Sequence, residues 1–549
     1  MSSIDGGHLV AKALKIEGIE RIFTLSGQSI LPIYNGCLDN GIRIIDTRHE
    51  QAAGHMADIC GRITGKPGVC LFTQGPGHTN SITALTTAFL AQSPLLSISG
   101  NSSSQQFDTG VIQEIDQVGL VRPITKWSRL VTNPARIPEY IATAFRHSLA
   151  GKPGPVHLSI PIDVLNSQVD EEKVFFEEPQ KYHVETRMAG DGEKIAAAMD
   201  LLKNAHRPVI IAGNGVWWSR AGEELREFIE FTNIPLFTTN QAQGVVADTH
   251  HLCFGGPVGI LIRAARQKSV FDVALILGES LKSSLNLGRP PLFPREAKII
   301  LADTVPQEIG LNRGVDVGIL GDSRSVLQQL IKEAGRRGPW KKLPWLNTLE
   351  DIRRERDQSW AKLEGDTQLP LHPAAFCKEI RELVDEKTTL VLDAGDLVSW
   401  ALRGLKALFP NQILMCGPLG QLGVGIPFAN GAKLLRPDHK VVLICGDGSF
   451  GFSAMEFDTA VRHKLPIVCV IGNDSTWGMI KRAQKDNYGP ERIVATELRP
   501  ARYEKVAEAL GGYGEYVEKA EDIKPAILRA LASGLPSCLN VAMRWMDKV

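Results

Sequence analysis

Short apolar runs alternate with amphipathic, helix-like stretches in three blocks of the chain. The predicted blocks span residues 1–166, 190–335 and 370–549, and polar linkers separate them. Alternation of strand-length and helix-length segments is typical of parallel sheets that carry helices on both faces. The sequence therefore predicts an α/β protein with three doubly wound parallel-sheet domains of similar size.

Two junctions in the third block carry acidic residues directly after a predicted strand. Residues 441–445 lead into Gly446-Asp447-Gly448-Ser449, and residues 466–471 lead into Asn473-Asp474-Ser475-Thr476. One predicted helix, residues 453–462, lies between them. Because parallel strands end at the same edge of a sheet, we expect Asp447 and Asp474 to lie close together.

The residues of these junctions suit a magnesium ion that bridges a diphosphate. Mg2+ usually takes one or two carboxylates and completes its octahedron with phosphate, water and carbonyl oxygens. Asp447, Asp474 and the Thr476 carbonyl are the predicted ligands. Gly446 and Gly448 allow backbone N–H groups to approach phosphate at the start of the following helix. A GDG tripeptide alone more often marks a plain turn, and the second acidic junction is what favours a site.

The sequence resembles the thiamine diphosphate enzymes, whose motif is GDG followed further along by Asn-Asn or Asn-Asp. Within this superfamily it resembles the acetohydroxyacid synthase, benzaldehyde lyase and 2-hydroxyacyl-CoA lyase group over nearly its whole length. The resemblance implies an N-terminal domain for the cofactor's pyrimidine and a central domain of nucleotide-binding type. It also implies a C-terminal domain for the diphosphate and Mg2+.

The segment Arg48-His49-Glu50-Gln51 resembles the part of this family that carries the activating glutamate. It lies between a predicted strand, residues 44–47, and a predicted helix, residues 52–64. The resemblance implies that Glu50 hydrogen-bonds N1′ of the aminopyrimidine and favours the imino tautomer, whose 4′-nitrogen removes the thiazolium C2 proton. Without the resemblance, Glu50 would be interpreted as an acidic residue that complements a helix dipole.

Three loops of the first domain are predicted to face the cofactor and the substrate. The resemblance implies that Gly27 and Pro76 contact the cofactor, and that Gln28 and Gln113 approach the substrate. Gln28 is bulkier than the small residues that leave room for an acceptor ketoacid in the synthases. His78 has two interpretations: an acid or base that acts on a substrate hydroxyl, or a buried structural histidine.

A loop of the third domain, residues 417–423, resembles the family segment that holds the cofactor bent. Leu422 is predicted to separate the two rings, where methionine is common, and the Gly420 carbonyl is predicted to accept from the 4′-amino group. Further contacts are expected from residues 394–397 and from the start of the helix after Thr476. The contacts that the resemblance implies in this domain are Ala394, Gly395, Asp396, Leu397, Gly420, Leu422, Gly446, Gly448, Ser449, Thr476, Trp477, Gly478 and Met479.

Two features leave alternatives open. Arg482 stands where the synthases usually have Trp, and its guanidinium either binds a carboxylate or phosphate or faces solvent. In the central domain, Gly213-Asn214-Gly215 and Asp303 stand at strand ends of a nucleotide-binding type. Relatives place ADP, FAD or nothing there, so these three possibilities remain.

Composition limits the partners. Lys and Arg together number 61, as do Asp and Glu, so no net charge attracts nucleic acid or acidic membranes. The start of the chain lacks a signal-peptide pattern, and no apolar stretch reaches the ~20 residues of a membrane span. The nine cysteines are scattered without a CxxC pair, which is typical of reduced thiols. We expect a cytoplasmic protein that binds neither nucleic acid nor membranes.

The predicted activity is a thiamine diphosphate- and Mg2+-dependent carbon–carbon lyase or carboligase. The expected substrates are 2-hydroxy carbonyl compounds or 2-oxo acids, with CoA thioesters among the candidates, and the reaction would use ylide attack and an enamine intermediate. The alternatives are an acetolactate synthase, a decarboxylase of the 2-oxo acid or oxalyl-CoA type, and a cofactor-binding paralogue without turnover. Because family members supply the glutamate and the diphosphate site from different subunits, the resemblance also implies a homodimer or homotetramer.

Overall fold

The computed structural model describes residues 3–547, which contain three parallel sheets, one in each predicted block. Helices cover both faces of every sheet, and the predicted fold class is confirmed. Within the described residues, every helix is too short or too polar to cross a lipid bilayer.

The N-terminal domain has a six-stranded parallel sheet in the order β3-β2-β4-β5-β7-β6 and a two-stranded antiparallel pair, β1-β8. Its strands are β1 (Ser3–Asp5), β2 (Arg21–Thr24), β3 (Arg43–Asp46), β4 (Gly68–Phe72), β5 (Leu95–Asn101), β6 (Trp127–Leu130), β7 (Pro155–Pro161) and β8 (Gln168–Asp170). Its helices are α1 (Gly6–Ile16), α2 (Leu31–Asp39), α3 (Glu50–Thr64), α4 (Pro76–Leu90), α5 (Gln117–Val121), α6 (Ile137–Leu149) and α7 (Ile162–Asn166).

The central domain has a five-stranded parallel sheet in the order β10-β9-β11-β12-β13. Its strands are β9 (Pro208–Ala212), β10 (Leu236–Thr238), β11 (Val273–Leu277), β12 (Lys298–Asp303) and β13 (Val317–Leu320). Its helices are α8 (Gly192–Asn204), α9 (Asn214–Trp218), α10 (Gly222–Thr232), α11 (Pro257–Arg266) and α12 (Ser323–Arg336), and the linker helix α13 (Trp345–Glu364) follows.

The C-terminal domain has a six-stranded parallel sheet in the order β15-β14-β16-β17-β19-β18. Its strands are β14 (Thr388–Leu392), β15 (Ile413–Met415), β16 (Lys440–Gly446), β17 (Val468–Asn473), β18 (Tyr513–Val517) and β19 (Ser537–Ala542). Its helices are α14 (Pro373–Arg381), α15 (Asp396–Gly404), α16 (Gly425–Leu435), α17 (Asp447–Ser453), α18 (Glu456–Arg462), α19 (Gly478–Tyr488), α20 (Glu504–Ala509) and α21 (Ala520–Ser533).

The central strands are mostly apolar because both of their faces are buried. In β17, Val468 and Val470 pack into one core, whereas Cys469 and Ile471 pack into a second core on the opposite face. Successive side chains of a strand point to opposite faces, so a continuous apolar run supplies two layers of helices at once.

Two local predictions need correction. The predicted helix of residues 453–462 is in fact two helices, α17 and α18, and α17 starts at Asp447, directly at the strand end. Glu50 is the first residue of α3 and does not precede it, because His49 is the N-cap and its ring nitrogen accepts from the Gln51 N–H.

The N-terminal and C-terminal domains are joined by the packing of α3 against α16. A Cβ added to Gly431 would lie 2.4 Å from the Ile59 side chain, so the two helices need a residue without a side chain there. In the same part of α3, Arg62 forms a buried ion pair with Asp58 and also donates to the carbonyls of Met415 and Cys416. These contacts fix how the edges of the two sheets are oriented.

We expect Asp58→Ala to destabilise the chain by about 3 kcal/mol or more, because it leaves the Arg62 charge buried without its counter-ion. A shift of the thermal unfolding midpoint in calorimetry measures the effect. Glu139→Ala removes the exposed partner of Arg136 and is the matched control, expected to leave the midpoint unchanged. Equal midpoints for Asp58→Ala and wild type would contradict the role of this pair.

Candidate functional site

A cleft of about 210 Å³ lies at the carboxyl edge of the C-terminal sheet. The ends of β14, β16 and β17 form its floor, and the first turns of α15, α17 and α19 form its sides. Open parallel sheets bind ligands at this edge. Every cofactor or metal residue predicted in this domain lines the cleft: Ala394, Gly395, Asp396, Leu397, Gly420, Leu422, Gly446, Asp447, Gly448, Ser449, Asp474, Thr476, Trp477, Gly478 and Met479.

Asp447 lies buried and Asp474 half-buried at the ends of adjacent strands. Asp447 is 2% exposed, and its Oδ2 has no hydrogen-bond partner among the described residues. Burial raises the pKa of Asp447 to about 6. Burial and the neighbouring Asp447 raise the pKa of Asp474 to about 7. A dication between the two carboxyl groups would reverse both effects.

The donor set fits Mg2+ better than a metal held by protein alone. Among residues 3–547 there is no group of three or more His, Cys, Asp or Glu side chains placed to hold a metal ion. Asp447 and Asp474 would supply two carboxylates to such an ion, and the remaining ligands would come from carbonyls, water or a phosphate. The Thr476 hydroxyl donates to the Thr496 carbonyl at 2.7 Å, which fixes the turn that carries the Thr476 carbonyl.

Two glycines of the cleft have structural reasons: close packing for Gly448 and backbone conformation for Gly395. A Cβ on Gly448 would lie 2.4 Å from the Trp477 ring. Gly395 has φ +92°, a conformation that side chains other than glycine rarely adopt, and it precedes the first turn of α15. Both positions bring backbone into the wall of the cleft, where a phosphate group could approach.

Asp393 is a residue of the site that the sequence analysis missed. Its buried carboxylate accepts from the N–H groups of Gly423 and Gly425 at 2.8 and 2.7 Å, so it holds the loop that carries Gly420 and Leu422. A signal was present, because Asp393 directly follows the apolar run Leu390-Val391-Leu392.

Arg482 binds a carboxylate, as the first of its two interpretations has it, and that carboxylate belongs to Asp396 of the same chain. Its guanidinium binds both carboxylate oxygens of Asp396 at 2.9 and 2.7 Å and donates to the carbonyls of Met546 and Asp547. The Trp545 ring N–H donates to the Gly478 carbonyl at 3.0 Å. The segment from residue 543 to 546 is thereby fixed as one wall of the cleft. The pairing also offsets the Asp396 charge, which would otherwise repel a diphosphate.

The residues predicted in the N-terminal domain gather at the carboxyl edge of that domain's own sheet. A Cβ on Gly27 would lie 2.2 Å from Thr73, and one on Gly77 would lie 3.5 Å from the Glu50 carboxylate. Gly75, next to Pro76, also lies close to Gln113. A Cβ added to Gly75 would lie 2.7 Å from the Gln113 side chain. The loops after β2 and β4 and the start of α3 therefore converge.

The exposure of these residues differs. Gln28, Pro76 and Gln113 are exposed, whereas Glu50 is 7% exposed and accepts from the Asn80 amide at 3.0 Å. Gln113 also has φ +66°, a strained conformation for a residue with a side chain. Among the described residues, the lining of the C-terminal cleft includes none of this group.

His78 lies in the core of the N-terminal domain. Its ring is fully buried, hydrogen-bonded to Ser99 at 2.9 Å and packed against the ring of His157. Burial lowers the pKa of His78 to about 4. These contacts favour the structural interpretation over the acid–base role.

The strand ends of the central domain pack closely, as in a nucleotide-binding fold, but the acidic residue at the end of β12 forms an ion pair. A Cβ on Gly215 would lie 2.5 Å from Gly278, so two loops touch there. Asp303, at the end of β12, is buried, and Lys152 from the N-terminal domain lies 2.9 Å from its carboxylate. Lys152 also lies 3.5 Å from Glu308. This geometry is compatible with any of the three occupancies considered.

Family comparisons agree with the three domains. Three family models of the thiamine pyrophosphate enzymes match this chain; thiamine pyrophosphate is another name for thiamine diphosphate. The model of the N-terminal TPP binding domain matches residues 4–120, that of the central domain residues 195–330, and that of the C-terminal TPP binding domain residues 393–541.

Relatives with different activities align along almost the whole chain. A probable acetolactate synthase of Mycobacterium bovis is 37% identical, with 98% of this chain and 96% of the relative covered. A 2-hydroxyacyl-CoA lyase of Arabidopsis thaliana and an oxalyl-CoA decarboxylase of Escherichia coli K12 are each 31% identical, with 98% of this chain and 95% of the relative covered. The chain belongs to the thiamine pyrophosphate enzymes.

Proposed function

We propose that this thiamine diphosphate enzyme depends on Mg2+ and breaks or forms the carbon–carbon bond next to a carbonyl group. The expected substrates are 2-hydroxy carbonyl compounds, including 2-hydroxyacyl-CoA thioesters, or 2-oxo acids. The observation that carries the proposal is the Asp447–Asp474 pair in a cleft with glycine-lined strand ends, where Asp447 is buried with an unpartnered Oδ2 among the described residues and Asp474 is half-buried beside it. A structural protein has no need to bury an acid with an unpaired carboxylate oxygen next to a second acid.

The chain's own residues have separate tasks in this proposal. When bound, thiamine diphosphate supplies a carbon nucleophile and an electron sink. Asp447 and Asp474 would hold Mg2+, and the Thr476 carbonyl would complete the protein ligands. Leu422 would fix the shape of the cofactor. Glu50 would hold a proton at N1′ of the pyrimidine, with the Asn80 amide orienting its carboxyl group.

The two halves of the site support a shared-subunit arrangement. Glu50 and Gln113 lie at one sheet edge and do not line the cleft of the same chain. Exposed apolar side chains stand beside both halves: Ile112 next to Gln113, and Met479 and Ile480 at the cleft. We infer that a second copy covers these surfaces and brings its Glu50 to the cleft.

Two observations bear on which reaction is catalysed. Arg482 is engaged with Asp396 and the C-terminal segment, and Gln28 is exposed at the predicted acceptor loop. Both depart from the synthase pattern, and they favour a lyase or carboligase of the benzaldehyde-lyase or 2-hydroxyacyl-CoA-lyase type. Acetolactate synthesis is the second candidate, because the relative with 37% identity carries that name. Decarboxylation is a third candidate because of the oxalyl-CoA decarboxylase relative.

Product analysis separates the candidate reactions. Purified protein with thiamine diphosphate and Mg2+ would be given benzoin, a 2-hydroxyacyl-CoA, oxalyl-CoA or pyruvate, and the products would be identified by mass spectrometry. We expect aldehyde release from one of the first two. Acetolactate from pyruvate as the main product would favour the synthase, and turnover of oxalyl-CoA alone would favour the decarboxylase. Absorbance and mass spectra of released ligands would show whether the central domain carries ADP, FAD or nothing.

The Glu50→Gln variant is expected to bind thiamine diphosphate. The C2 proton of the bound cofactor should exchange at least about 100-fold more slowly than in the wild-type protein, because general acid–base help is lost. Quenched-flow NMR in D2O measures this exchange without any substrate. Glu20→Gln, at an exposed position, is the control and should exchange at the wild-type rate. Wild-type exchange in Glu50→Gln would contradict the assigned role.

Removal of the metal should abolish turnover without unfolding the chain. EDTA treatment is expected to abolish activity, and later addition of Mg2+ is expected to restore it. Asp447→Asn should weaken cofactor binding by about tenfold or more, since the Asp447–Mg2+ contact contributes to the site. Calorimetric titration with thiamine diphosphate and Mg2+ measures the binding. Asp438→Asn, on an exposed loop, should bind normally. Tight cofactor binding by Asp447→Asn would argue against this metal site.

Mixing the two inactive variants tests whether subunits share the site. If Glu50 and Asp447 come from different chains, co-expressed Glu50→Gln and Asp447→Asn should recover about a quarter of wild-type activity, because half of randomly paired dimers are mixed and each has one intact site. Affinity tags on each variant allow the mixed dimer to be isolated. No recovery in the isolated mixed dimer would place both residues in one chain.

A further inference from the structure

A buried carboxyl group of the C-terminal domain lies against the turn that precedes Glu50. Glu456, the first residue of α18, is 2% exposed. The Arg48 backbone N–H donates to its two carboxyl oxygens at 3.1 and 3.3 Å, and the Thr459 hydroxyl donates to it at 2.6 Å. Glu456 therefore crosses from one domain to fix a main-chain amide of another.

The surroundings give Glu456 a fixed position. The side chain of fully buried Asn430, on α16, donates to the Glu456 carbonyl at 3.2 Å. Burial raises the pKa of Glu456 to about 7, while the hydrogen bonds from Thr459 and the Arg48 N–H oppose this rise. A buried acid that is satisfied by neutral donors is costly to leave unpaired, so the contact with the turn is specific.

Charged contacts hold the outer side of the same turn. Arg462 binds the Asp46 carboxylate, and the His463 ring lies 3.1 Å from the Asp46 carbonyl. Arg48 lies 3.8 Å from Asp458. These contacts are more exposed than Glu456, and among residues 3–547 Glu456 is the side chain that accepts from the peptide N–H two residues before Glu50. The orientation of the first turn of α3 thus depends on α18.

We propose that Glu456 is a positioning residue for Glu50. By holding the Arg48 N–H, it sets the start of α3 and hence the direction in which the Glu50 carboxyl group points. The inference rests on the proposed role of Glu50. Misplacement of a catalytic group by about 1 Å can cost about 100-fold in rate, so a contact two residues away is close enough to matter.

Three variants and one control test the proposal. Glu456→Ala removes the acceptor, Glu456→Gln keeps one carbonyl oxygen for the Arg48 N–H, and Glu456→Asp retracts the carboxyl group by one methylene. Arg462→Met breaks the contact with Asp46 on the same interface but leaves Glu456 in place. Two readouts apply: amide hydrogen exchange of the peptide that contains Arg48 and His49, without cofactor, and C2 proton exchange of thiamine diphosphate with Mg2+.

In Glu456→Ala we expect faster amide exchange of that peptide and C2 exchange slowed by about tenfold to 100-fold, with cofactor affinity little changed. Glu456→Gln should recover most of both rates, and Arg462→Met should keep wild-type C2 exchange. Should Glu456→Ala fail to fold, Glu456→Asp carries the test, with a smaller loss in the same two readouts.

Wild-type C2 exchange in a folded Glu456→Ala or Glu456→Asp would overturn the proposal, whatever the amide exchange. An equal loss in Glu456→Gln and Glu456→Ala without any change in amide exchange would also overturn it. These outcomes differ from failure of the proposed function, in which Glu50→Gln itself would exchange the C2 proton at the wild-type rate.

Discussion

The placement of buried Asp447 and half-buried Asp474 at the ends of two adjacent parallel strands is the constraint on which the cleft depends. Two carboxyl groups in this position repel each other and lose hydration, as their raised pKa values show. The fold tolerates this cost because the strand ends β16 and β17 are fixed by hydrogen bonding on both sides. A bound dication would turn the same geometry from a cost into a source of affinity.

The rest of the cleft adapts the backbone to that acidic centre. Asp393 holds the loop with Gly420 and Leu422 through two main-chain N–H groups, and Arg482 offsets the charge of Asp396 on the opposite side. Carboxylates thus have three different tasks in and around one cleft: the proposed metal site, a loop anchor and an ion pair. Their environments, and not their residue type, separate these tasks.

The packing of α3 on α16 determines where Glu50 lies relative to the cleft. It fixes the two domains so that the N-terminal edge with Glu50 does not line the cleft of its own chain. The interface is nevertheless rich in specific contacts, from the buried Asp58–Arg62 pair to the Glu456 contact with the Arg48 N–H. A rigid interface within the chain is what a site completed by a second copy would require, because each half must hold its geometry alone.

The sequence by itself determined the three α/β domains and the Asp447 and Asp474 junctions, because strand periodicity and turn glycines act over a few neighbouring residues. The other residues of the cleft lining were predicted from the resemblance to a family. Tertiary structure decided what depends on distant partners. Arg482 finds Asp396 86 positions away, Glu456 finds the Arg48 N–H across 408, and the His78 ring is buried beside His157. Such contacts follow from how sheets and helices pack, and no local pattern encodes them.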